Sequence, residues 1–350
     1  MKVLVGMSGG VDSSIAALLL VKQGHDVTGV TAKFRPDSDK KNRGCCSLED
    51  IDDARRVAYK LCIDHIVMNF TKEFEDEVIK DFVENYKNGI TPNPCIMCNQ
   101  KLKFDSLLRR AISLGFEGIA TGHYAVIEHS SEYDRWILKK SNSSKDQSYV
   151  LYGMRQEQLS RTLMPLSNMQ KEEVRKIAAE YDLPVANKPD SQEICFVDGK
   201  YSDFIHDYSG DKPIPGYFVD DKGTTLGKHS GITKYTIGQR KGLGLSFKEP
   251  MFVTKIDART NTITIGNNLK QYKKTLTARD LNFIPIENLK KPMNVLAKLR
   301  YQAKPCEALV TPIGKNRIRA DFLEPQKAIT PGQAVVFYQG DLVIGGGIIE

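Results

Sequence analysis

The sequence predicts an α/β fold, with a doubly wound parallel sheet followed by a small, mostly β segment and a C-terminal β-barrel. Two patterns support this prediction. In the first part of the chain, short apolar runs alternate with helical patterns, which is typical of a parallel sheet covered by helices. From about residue 210 onward, short alternating segments are separated by turn residues, as in antiparallel sheets and barrels. We place the boundaries of the three regions at 1–207, 208–276 and 277–350.

Each element of the first region follows from a local pattern. The predicted strands are 2–6, 25–34, 63–70 and 118–125. The predicted helices are 15–23, 47–61, 71–87 and 105–114, with further helices near residues 157 and 171. Ser47 is expected to cap its helix because Asp50 stands in the capping-box position, and Thr71 is expected to cap the next one. The stretch 91–99 contains two prolines and is predicted to be a loop.

The β regions are predicted from hairpin patterns, in which two alternating runs flank a pair of turn residues. The expected turns lie at 130–131, 221–223, 260–261 and 340–341. The first of these falls inside the α/β region, and the others define the central segment and the barrel.

Composition and charge limit the class of protein. Of the 350 residues, 41% are hydrophobic and 27% are charged, as in ordinary globular proteins. No apolar run approaches the roughly 20 residues that span a bilayer. The first strand starts too early for a signal peptide, so we expect a cytoplasmic protein. The net charge is +7, and the stretch 270–304 has nine basic but only two acidic residues, which favours a polyanionic partner.

The segment between the first strand and the first helix is predicted to bind phosphate. Its sequence is Gly6-Met7-Ser8-Gly9-Gly10-Val11-Asp12-Ser13-Ser14. Glycines let the backbone approach a ligand, and the first N–H groups of a helix attract anions. Asp12 could hold Mg²⁺ against phosphate oxygens. The simpler interpretation is a turn whose serines only cap the helix.

This segment matches neither the Walker pattern nor the dinucleotide fingerprint. Its core, SGGVDSS, resembles the pyrophosphate loop of the ATP pyrophosphatases, which split ATP into AMP and pyrophosphate and adenylate an oxygen of their substrate. Further motifs occur in matching order along nearly the whole chain: PNPCIMCNQKLKF, ATGHYA, KDQSYVLY, DSQEICFV, TIGQRKGLG, LRYQ and GQAVVFYQGDLVIGGGII. Together they make the chain similar to the tRNA-specific 2-thiouridylases.

The resemblance implies a function for each region and a set of partners. Residues 1–207 would form the catalytic domain, 208–276 a linking domain, and 277–350 a barrel that contacts tRNA. The implied reaction uses ATP to adenylate O2 of the wobble uridine in tRNA and then places sulfur on C2. Its products are 2-thiouridine, AMP and pyrophosphate. The sulfur would come from a persulfide-carrying protein, either a cysteine desulfurase or a relay protein.

The resemblance also implies site residues. The ATP-binding positions are Gly6, Met7, Ser8, Gly9, Gly10, Val11, Asp12, Ser13, Ala32 and Gly122. The positions bordering the target base are Asn93, Pro94 and Cys95. The tRNA-contacting positions are His123, Lys145, Asp146, Gln147, Arg300, Tyr301 and Gln333. Cys98 and Cys195 match the two catalytic cysteines, of which Cys195 carries the persulfide and Cys98 forms a disulfide with it.

Cys95 departs from the family pattern, because most relatives have an aspartate there. With Cys98 and Cys195 it makes three thiols, and three interpretations stay open. The three cysteines could ligate a [4Fe–4S] cluster whose open iron delivers sulfur. The persulfide–disulfide route could operate without a metal. A structural zinc ion could also bind, if Cys45, Cys46 or a histidine completed its ligands.

Two other classes of protein compete with this prediction. One is another enzyme with the same ATP loop, either a 4-thiouridine synthase or an amide-forming ligase. A ligase would have no need for the three cysteines. The other is a non-catalytic RNA-binding protein with a zinc-stabilised loop, which would have no use for SGGVDSS.

Overall fold

The structure is a computed structural model that describes residues 1–35, 47–189 and 194–350. Its N-terminal region is built on a five-stranded parallel sheet with the order β3-β2-β1-β4-β7. The strands are β1 (Lys2–Gly6), β2 (Asp26–Lys33), β3 (Asp64–Asn69), β4 (Gly118–Ala120) and β7 (Thr162–Leu163). The chain order reverses between β1 and β4, so the segment after β1 lies at the edge where ligands bind in doubly wound sheets. The predicted parallel sheet is confirmed.

One strand is shorter than predicted. The run 118–125 was expected to be a single strand. In the structure β4 ends at Ala120, and a separate strand, β5 (Ala125–Ser130), begins at the last residue of the run. The break follows from packing at Gly122. A Cβ atom on this residue would lie 2.7 Å from the backbone carbon of Asp12, so the chain leaves the sheet where it touches the first helix.

The helices of the described N-terminal region mostly match the prediction. Apart from the helical run that begins at Pro94, they are α1 (Val11–Lys22), α2 (Leu48–Lys60), α3 (Thr71–Phe74), α4 (Lys80–Lys87), α7 (Ser148–Leu151), α8 (Gln156–Ser160), α9 (Lys171–Glu180) and α10 (Tyr201–Ser209), with a π-helical segment, Glu75–Ile79, joining α3 to α4. The capping box of α2 is present, with Ser47 Oγ accepting from the Asp50 backbone N–H. Thr71 does not cap its helix. It is the first helical residue, and its N–H donates to Asn69 Oδ1 at 2.9 Å.

The predicted loop at 91–99 is wrong over most of its length. A helical run begins at Pro94 as α5 (Pro94–Met97), continues as the π-helical segment Cys98–Ser106 and ends as α6 (Leu107–Ser113). One of the two prolines that suggested a loop, Pro94, in fact starts this helix. Asn93 is its N-cap, and Pro94 occupies the first turn, where the missing N–H costs nothing.

The central region is a four-stranded sheet with the order β10-β11-β8-β9. Its strands are β8 (Gly216–Val219), β9 (Thr225–His229), β10 (Met251–Asp257) and β11 (Thr262–Asn267). The hairpins predicted around 221–223 and 260–261 are both present. This sheet has its own small core, formed around Phe218, Val253 and Ile263.

The C-terminal region is a closed six-stranded antiparallel barrel. Its strands are β12 (Tyr272–Phe283), β13 (Met293–Lys298), β14 (Cys306–Gly314), β15 (Arg317–Lys327), β16 (Ala334–Gln339) and β17 (Leu342–Ile349). Pairing of β12 with both β15 and β17 closes the ring. The predicted barrel is therefore confirmed, and its first strand begins at Tyr272.

The predicted hairpin at 130–131 does not belong to the parallel sheet. β5 pairs with β6 (Arg135–Lys140), and Lys139 of β6 pairs with Leu342 of β17. The N-terminal region thus contributes a hairpin to the sheet of the barrel, which fixes the two regions against each other. Across the residues described, no helix is long and apolar enough to cross a membrane.

Candidate active site

The glycine-serine turn is a compact loop that is tied to its own sheet. The Met7 N–H donates to the Val30 carbonyl at 2.8 Å, and the Ser8 N–H donates to Ser13 Oγ at 3.2 Å. Ser13 Oγ in turn donates to the Gly10 carbonyl at 3.0 Å. No side chain caps α1 at Gly10, so the interpretation that the serines only cap the helix does not describe this turn.

Two glycines are required by close packing around this loop. Gly9 has a φ of +70°, and a Cβ atom on it would lie 2.4 Å from the Asp50 carbonyl oxygen. Gly122 touches the backbone of Asp12 from the other side. The loop is therefore held between the N-terminus of α2 and the end of β4. Lys188 strengthens the α2 side, because its Nζ lies 2.7 Å from an Asp50 oxygen and 2.6 Å from an Asp53 oxygen.

Asp12 takes part in a network that the sequence analysis missed. Lys171 Nζ donates to both carboxylate oxygens of Asp12, each at 2.7 Å, and the Tyr124 hydroxyl donates to one of them at 2.7 Å. Lys171 is only 5% exposed. A lysine in the first turn of a helix usually faces solvent. The pairing of Lys171 with Asp12 therefore becomes visible only in the folded structure. The ammonium group thus binds both oxygens of the carboxylate that was expected to hold Mg²⁺.

The predicted ATP-binding residues lie at the carboxyl edge of the sheet. Residues 6–13 run from the end of β1 into α1, Ala32 lies near the end of β2, and Gly122 follows β4. These are the three central strands of the sheet. Behind the edge, Thr31 Oγ1 donates to the Met7 carbonyl at 2.8 Å and shares a 2.9 Å hydrogen bond with His65 Nε2. Burial lowers the pKa of His65, and Arg55 acts in the same direction.

Cys95 and Cys98 lie at the start of the helix that was predicted to be a loop. Asn93 Oδ1 accepts from the Cys95 N–H at 3.2 Å and from the Ile96 N–H at 3.4 Å. Pro94 is buried, Cys95 is exposed and Cys98 is 9% exposed. Asn93 and Pro94 therefore build and anchor the helix that carries the thiols, and only Cys95 among them faces solvent.

Cys195 follows the short stretch 190–193, which lies outside the described residues. Cys98 belongs to the largest hydrophobic cluster, and both Cys195 and Ala32 pack against that cluster. A row of aromatic rings connects the end of β2 with Phe196, the residue after Cys195. Phe34, just after β2, stacks on Phe74 at 5.1 Å between centroids, and Phe74 meets Phe196 edge-on at 5.6 Å. The cysteines and the carboxyl end of β2 thus share one core.

The three cysteines do not form a metal site in this arrangement. Among the described residues, no group of three or more histidine, cysteine, aspartate or glutamate side chains is placed to hold a metal ion. The cluster interpretation therefore does not fit the thiols as they are placed, whereas the zinc interpretation stays a prediction. Cys45 and Cys46, which the zinc interpretation invoked, lie outside the described residues. Burial raises the pKa of Cys306 to about 11, so this thiol stays protonated and serves packing.

The predicted tRNA contacts in the loop 145–147 differ in exposure. Lys145 is exposed. The side chain of Asp146 accepts from the N–H groups of Ser141 and Ser148 at 3.0 and 3.2 Å. Gln147 Oε1 accepts from the Tyr124 N–H at 3.0 Å. Asp146 and Gln147 therefore shape the loop, and Lys145 is the residue that it presents to solvent.

Arg300 and Tyr301 lie near this loop although they belong to the barrel. Both are exposed, Tyr301 to 38%. Burial raises the pKa of Tyr301 and the Asp146 carboxylate adds to the effect. Lys298 lies 5.5 Å from the Tyr301 ring, and its pKa is lowered by burial, with Asp146 opposing. Two motifs about 150 residues apart therefore meet at one surface that includes cations and an aromatic ring.

The last two predicted tRNA contacts are already engaged inside the protein. His123 Nδ1 is 2.8 Å from Thr121 Oγ1, and the ring lies 5.6 Å from that of Phe104. Burial holds the pKa of His123 well below its ordinary value, with Lys103 acting in the same direction, so the ring is neutral at pH 7. Gln333 Nε2 donates to the carbonyls of Thr91 at 2.9 Å and of Pro92 at 3.2 Å.

Comparison with protein-family models covers nearly all of the chain. A family model described as the tRNA methyl transferase HUP domain matches residues 1–199. A tRNA methyl transferase PRC-barrel domain model matches 202–267, and an aminomethyltransferase beta-barrel domain model matches 273–349.

Comparison with individual proteins finds close relatives by sequence. A tRNA-specific 2-thiouridylase MnmA of Acetivibrio thermocellus is 53% identical over 355 residues, covering 100% of this chain and 99% of the relative. A protein with the same name from Clostridioides difficile is 52% identical over 353 residues, covering 100% and 98%. The structure of a 4-thiouridine synthetase–RNA complex with bound ATP aligns at a TM-score of 0.35 and 19% identity, over 56% of this chain and 44% of the other. A likeness that weak informs neither fold nor function.

Proposed function

The chain belongs to the tRNA-specific 2-thiouridylase family, and from this premise we propose that it is a tRNA-uridine sulfurtransferase. It uses ATP to adenylate O2 of the wobble uridine and then replaces that oxygen with sulfur. The products are 2-thiouridine, AMP and pyrophosphate. One observation carries the proposal. Cys98 belongs to a hydrophobic core against which both Cys195 and the nucleotide-side residue Ala32 pack, and Ala32 lies near the carboxyl end of β2.

Activation would take place at the glycine-serine turn. The uracil O2 attacks the α-phosphorus of ATP, an O–P bond forms, and pyrophosphate leaves. The N–H groups at the start of α1 have no partners inside the helix, so they can bind the departing pyrophosphate. Magnesium, which ATP-dependent chemistry of this kind implies, would neutralise phosphate charge when bound. In this arrangement Lys171 holds the Asp12 carboxylate beside the turn.

Sulfur transfer would follow at the thiols. The terminal sulfur of a persulfide on Cys195 attacks C2, a C–S bond forms, and the C2–O bond breaks to release AMP. Cys98 then attacks Cys195 Sγ, which breaks the S–S bond to the transferred sulfur and forms a Cys98–Cys195 disulfide. An external thiol must reduce that disulfide before another cycle. The persulfide comes from a donor protein, a cysteine desulfurase or a relay protein.

The route without a metal is the version that the described geometry favours. Cys95 is exposed while Cys98 is buried one helical turn away, and the three thiols form no metal-holding group. The [4Fe–4S] interpretation would require them to rearrange. Cys95 instead lies beside the base-binding residues Asn93 and Pro94, where the family more often has a carboxylate.

The test of the function is direct. The purified protein is incubated with ATP, Mg²⁺, unmodified tRNA, a cysteine desulfurase with cysteine as the persulfide source and a thiol reductant, and the nucleosides are analysed by mass spectrometry. We expect 2-thiouridine at the wobble position, with pyrophosphate release that depends on tRNA. Formation of 4-thiouridine would instead identify the rival synthase, and pyrophosphate release without any thiolated base would favour a ligase. Methyl transfer, which the description of the matching family model names, would need no ATP loop of this kind.

The surface made by Lys145, Arg300 and Tyr301 is proposed to bind tRNA, together with the exposed Lys290 and Lys291. Replacing Lys290, Lys291 and Arg300 with glutamine should flatten the dependence of tRNA affinity on salt. The log–log slope should decrease by roughly 0.7 to 0.9 for each tRNA phosphate that the variant no longer neutralises. ATP affinity should not change. The measurement is tRNA affinity by filter retention at several salt concentrations from low to moderate. An unchanged slope of log affinity against log salt concentration would mean that the tRNA binds another face of the protein.

A further inference from the structure

The barrel touches the approach to the cysteine helix at one short segment, which we call the latch (331–333). The Thr91 N–H donates to the Pro331 carbonyl at 3.0 Å. In the opposite direction, Gln333 Nε2 donates to the carbonyls of Thr91 and Pro92 at 2.9 and 3.2 Å. Gly332 allows this approach, because a Cβ atom on it would lie 2.9 Å from the Thr91 oxygen. One side-chain amide thus binds two successive backbone carbonyls.

Those two carbonyls directly precede the cap of the cysteine helix. Asn93 follows Pro92, and its side chain accepts from the N–H of Cys95 and of Ile96. The helix then runs without a break through Cys98. Because Thr91 and Pro92 belong to no helix or strand, the latch supplies hydrogen bonds that regular structure does not. Loss of its donor would leave both carbonyls poorly satisfied.

The latch is itself hydrogen-bonded to the last strand of the barrel. The Ile349 N–H donates to the Gln333 carbonyl at 2.8 Å, and the Gly332 N–H donates to the Ile349 carbonyl at 2.9 Å. The segment just before it holds a predicted tRNA contact, since Arg300 Nη2 donates to the Ala328 carbonyl at 2.6 Å and to Thr330 Oγ1 at 3.1 Å. A few residues of the barrel therefore connect the tRNA surface with the cysteine helix.

We propose that Gln333 is a positioning residue that seats the Cys98 helix by binding the Thr91 and Pro92 carbonyls. Its Nε2 donor is already bound to these two carbonyls. This inference rests on the proposed function for its effect on thiolation, although the placement of Cys98 can be measured without any reaction. It differs from a contact role, in which Gln333 would act on tRNA affinity.

The test uses two variants and a matched control in the full-length protein. Gln333→Glu keeps the shape but turns a carboxylate toward two carbonyls, and Gln333→Leu removes the donor. The control is Gln339→Leu, which removes another hydrogen bond of the barrel, from Gln339 Nε2 to the Asn294 carbonyl at 3.1 Å. The rate of alkylation of Cys98 by iodoacetamide is measured by mass spectrometry on reduced protein, relative to the exposed Cys62.

We expect both Gln333 variants to raise the Cys98-to-Cys62 labelling ratio and to lower kcat for thiolation roughly ten-fold. The Kd for tRNA should stay within roughly two-fold of that of the unmodified protein. The control should change neither ratio nor rate. An unchanged labelling ratio in both Gln333 variants would overturn the proposal, whatever happens to tRNA affinity. If the protein makes no 2-thiouridine at all, the proposed function fails while the labelling ratio still tests the latch.

Discussion

The phosphate loop (6–14) and the cysteine helix (93–113) lie in the same region of the molecule, but different parts of the chain hold them. The loop is held by neighbouring elements of the α/β region, through hydrogen bonds such as that from the Met7 N–H to the Val30 carbonyl and that from Lys171 to Asp12. The approach to the helix is held by Gln333, 242 residues beyond Thr91. ATP activation should therefore be a property of the α/β region. Sulfur transfer should depend on the complete chain.

The largest effect should come from removing a thiol. We expect Cys98→Ser and Cys195→Ser each to reduce 2-thiouridine formation by roughly 10³-fold or more, the scale of losing a nucleophile. Pyrophosphate release with tRNA should continue at first turnover, because the phosphate loop is untouched. Rapid-quench assays of both products measure this, with Cys62→Ser as the control. Thiolation that survives in either variant would contradict the assigned chemistry.

A smaller effect should follow from damage to the loop. Gly9→Ala places a methyl group where the Asp50 carbonyl lies, and Gly24→Ala introduces the same kind of backbone strain, at φ +79°, with no atom within 4 Å. Both should lower the free energy of unfolding by about 1 kcal/mol or more. Only Gly9→Ala should also slow pyrophosphate release, by roughly 100-fold, because it displaces the phosphate site.

Urea denaturation and pyrophosphate assays on the two glycine variants distinguish the effect of backbone strain, which both variants share, from the effect of the contact with Asp50, which only Gly9→Ala introduces. Equal activity in both would show that the contact between Gly9 and Asp50 does not shape the site. The Cys98-to-Cys62 labelling ratio should stay unchanged in both variants, because the cysteine helix has its own support.

The smallest effect is a change in the pH dependence of stability, and it should come from His123, which lies between the end of β4 and the cysteine helix. His123 bonds to Thr121 at the end of β4, and its ring faces Phe104 in the cysteine helix. Its pKa is lowered in the folded protein, so below about pH 6.5 the unfolded chain binds a proton that the folded chain does not. Stability should therefore fall as pH decreases, by about 1.4 kcal/mol per unit for this group until the folded-state pKa is reached.

His123→Gln should remove that part of the acid sensitivity. The measurement is the free energy of unfolding between pH 7.5 and 5.5, with His129→Gln on the exposed hairpin as the control. If His123→Gln leaves the pH dependence as steep as before, the neutral side chain of His123 is not its source.

Sequence reasoning predicted the parts of the site that local chemistry determines. The strand, glycine turn and helix around Gly9 are contiguous, and the capping box of Ser47 and Asp50 spans four residues. The cap formed by Asn93 was missed because prolines on both sides suggested a loop. Pro94 in fact occupies the first turn of a helix, which is a local pattern that sequence reasoning can use.

Other features depend on contacts that no local pattern contains. Lys171 resembles any solvated lysine at the start of a helix, and only the fold places it on Asp12. The hairpin of β5 and β6 was predicted, but its partner in the barrel is 200 residues away. Gln333 matched a family position for tRNA contact, and only the fold reveals that its amide also binds backbone carbonyls of the protein.

The most direct test of the account follows the oxygen that sulfur replaces. tRNA carrying ¹⁸O at O2 of the wobble uridine is incubated with the enzyme, ATP and a sulfur donor, and the AMP is analysed by mass spectrometry. We expect one ¹⁸O atom in AMP for each 2-thiouridine formed, because O2 is adenylated and leaves with the phosphate. Formation of 2-thiouridine with unlabelled AMP would contradict it.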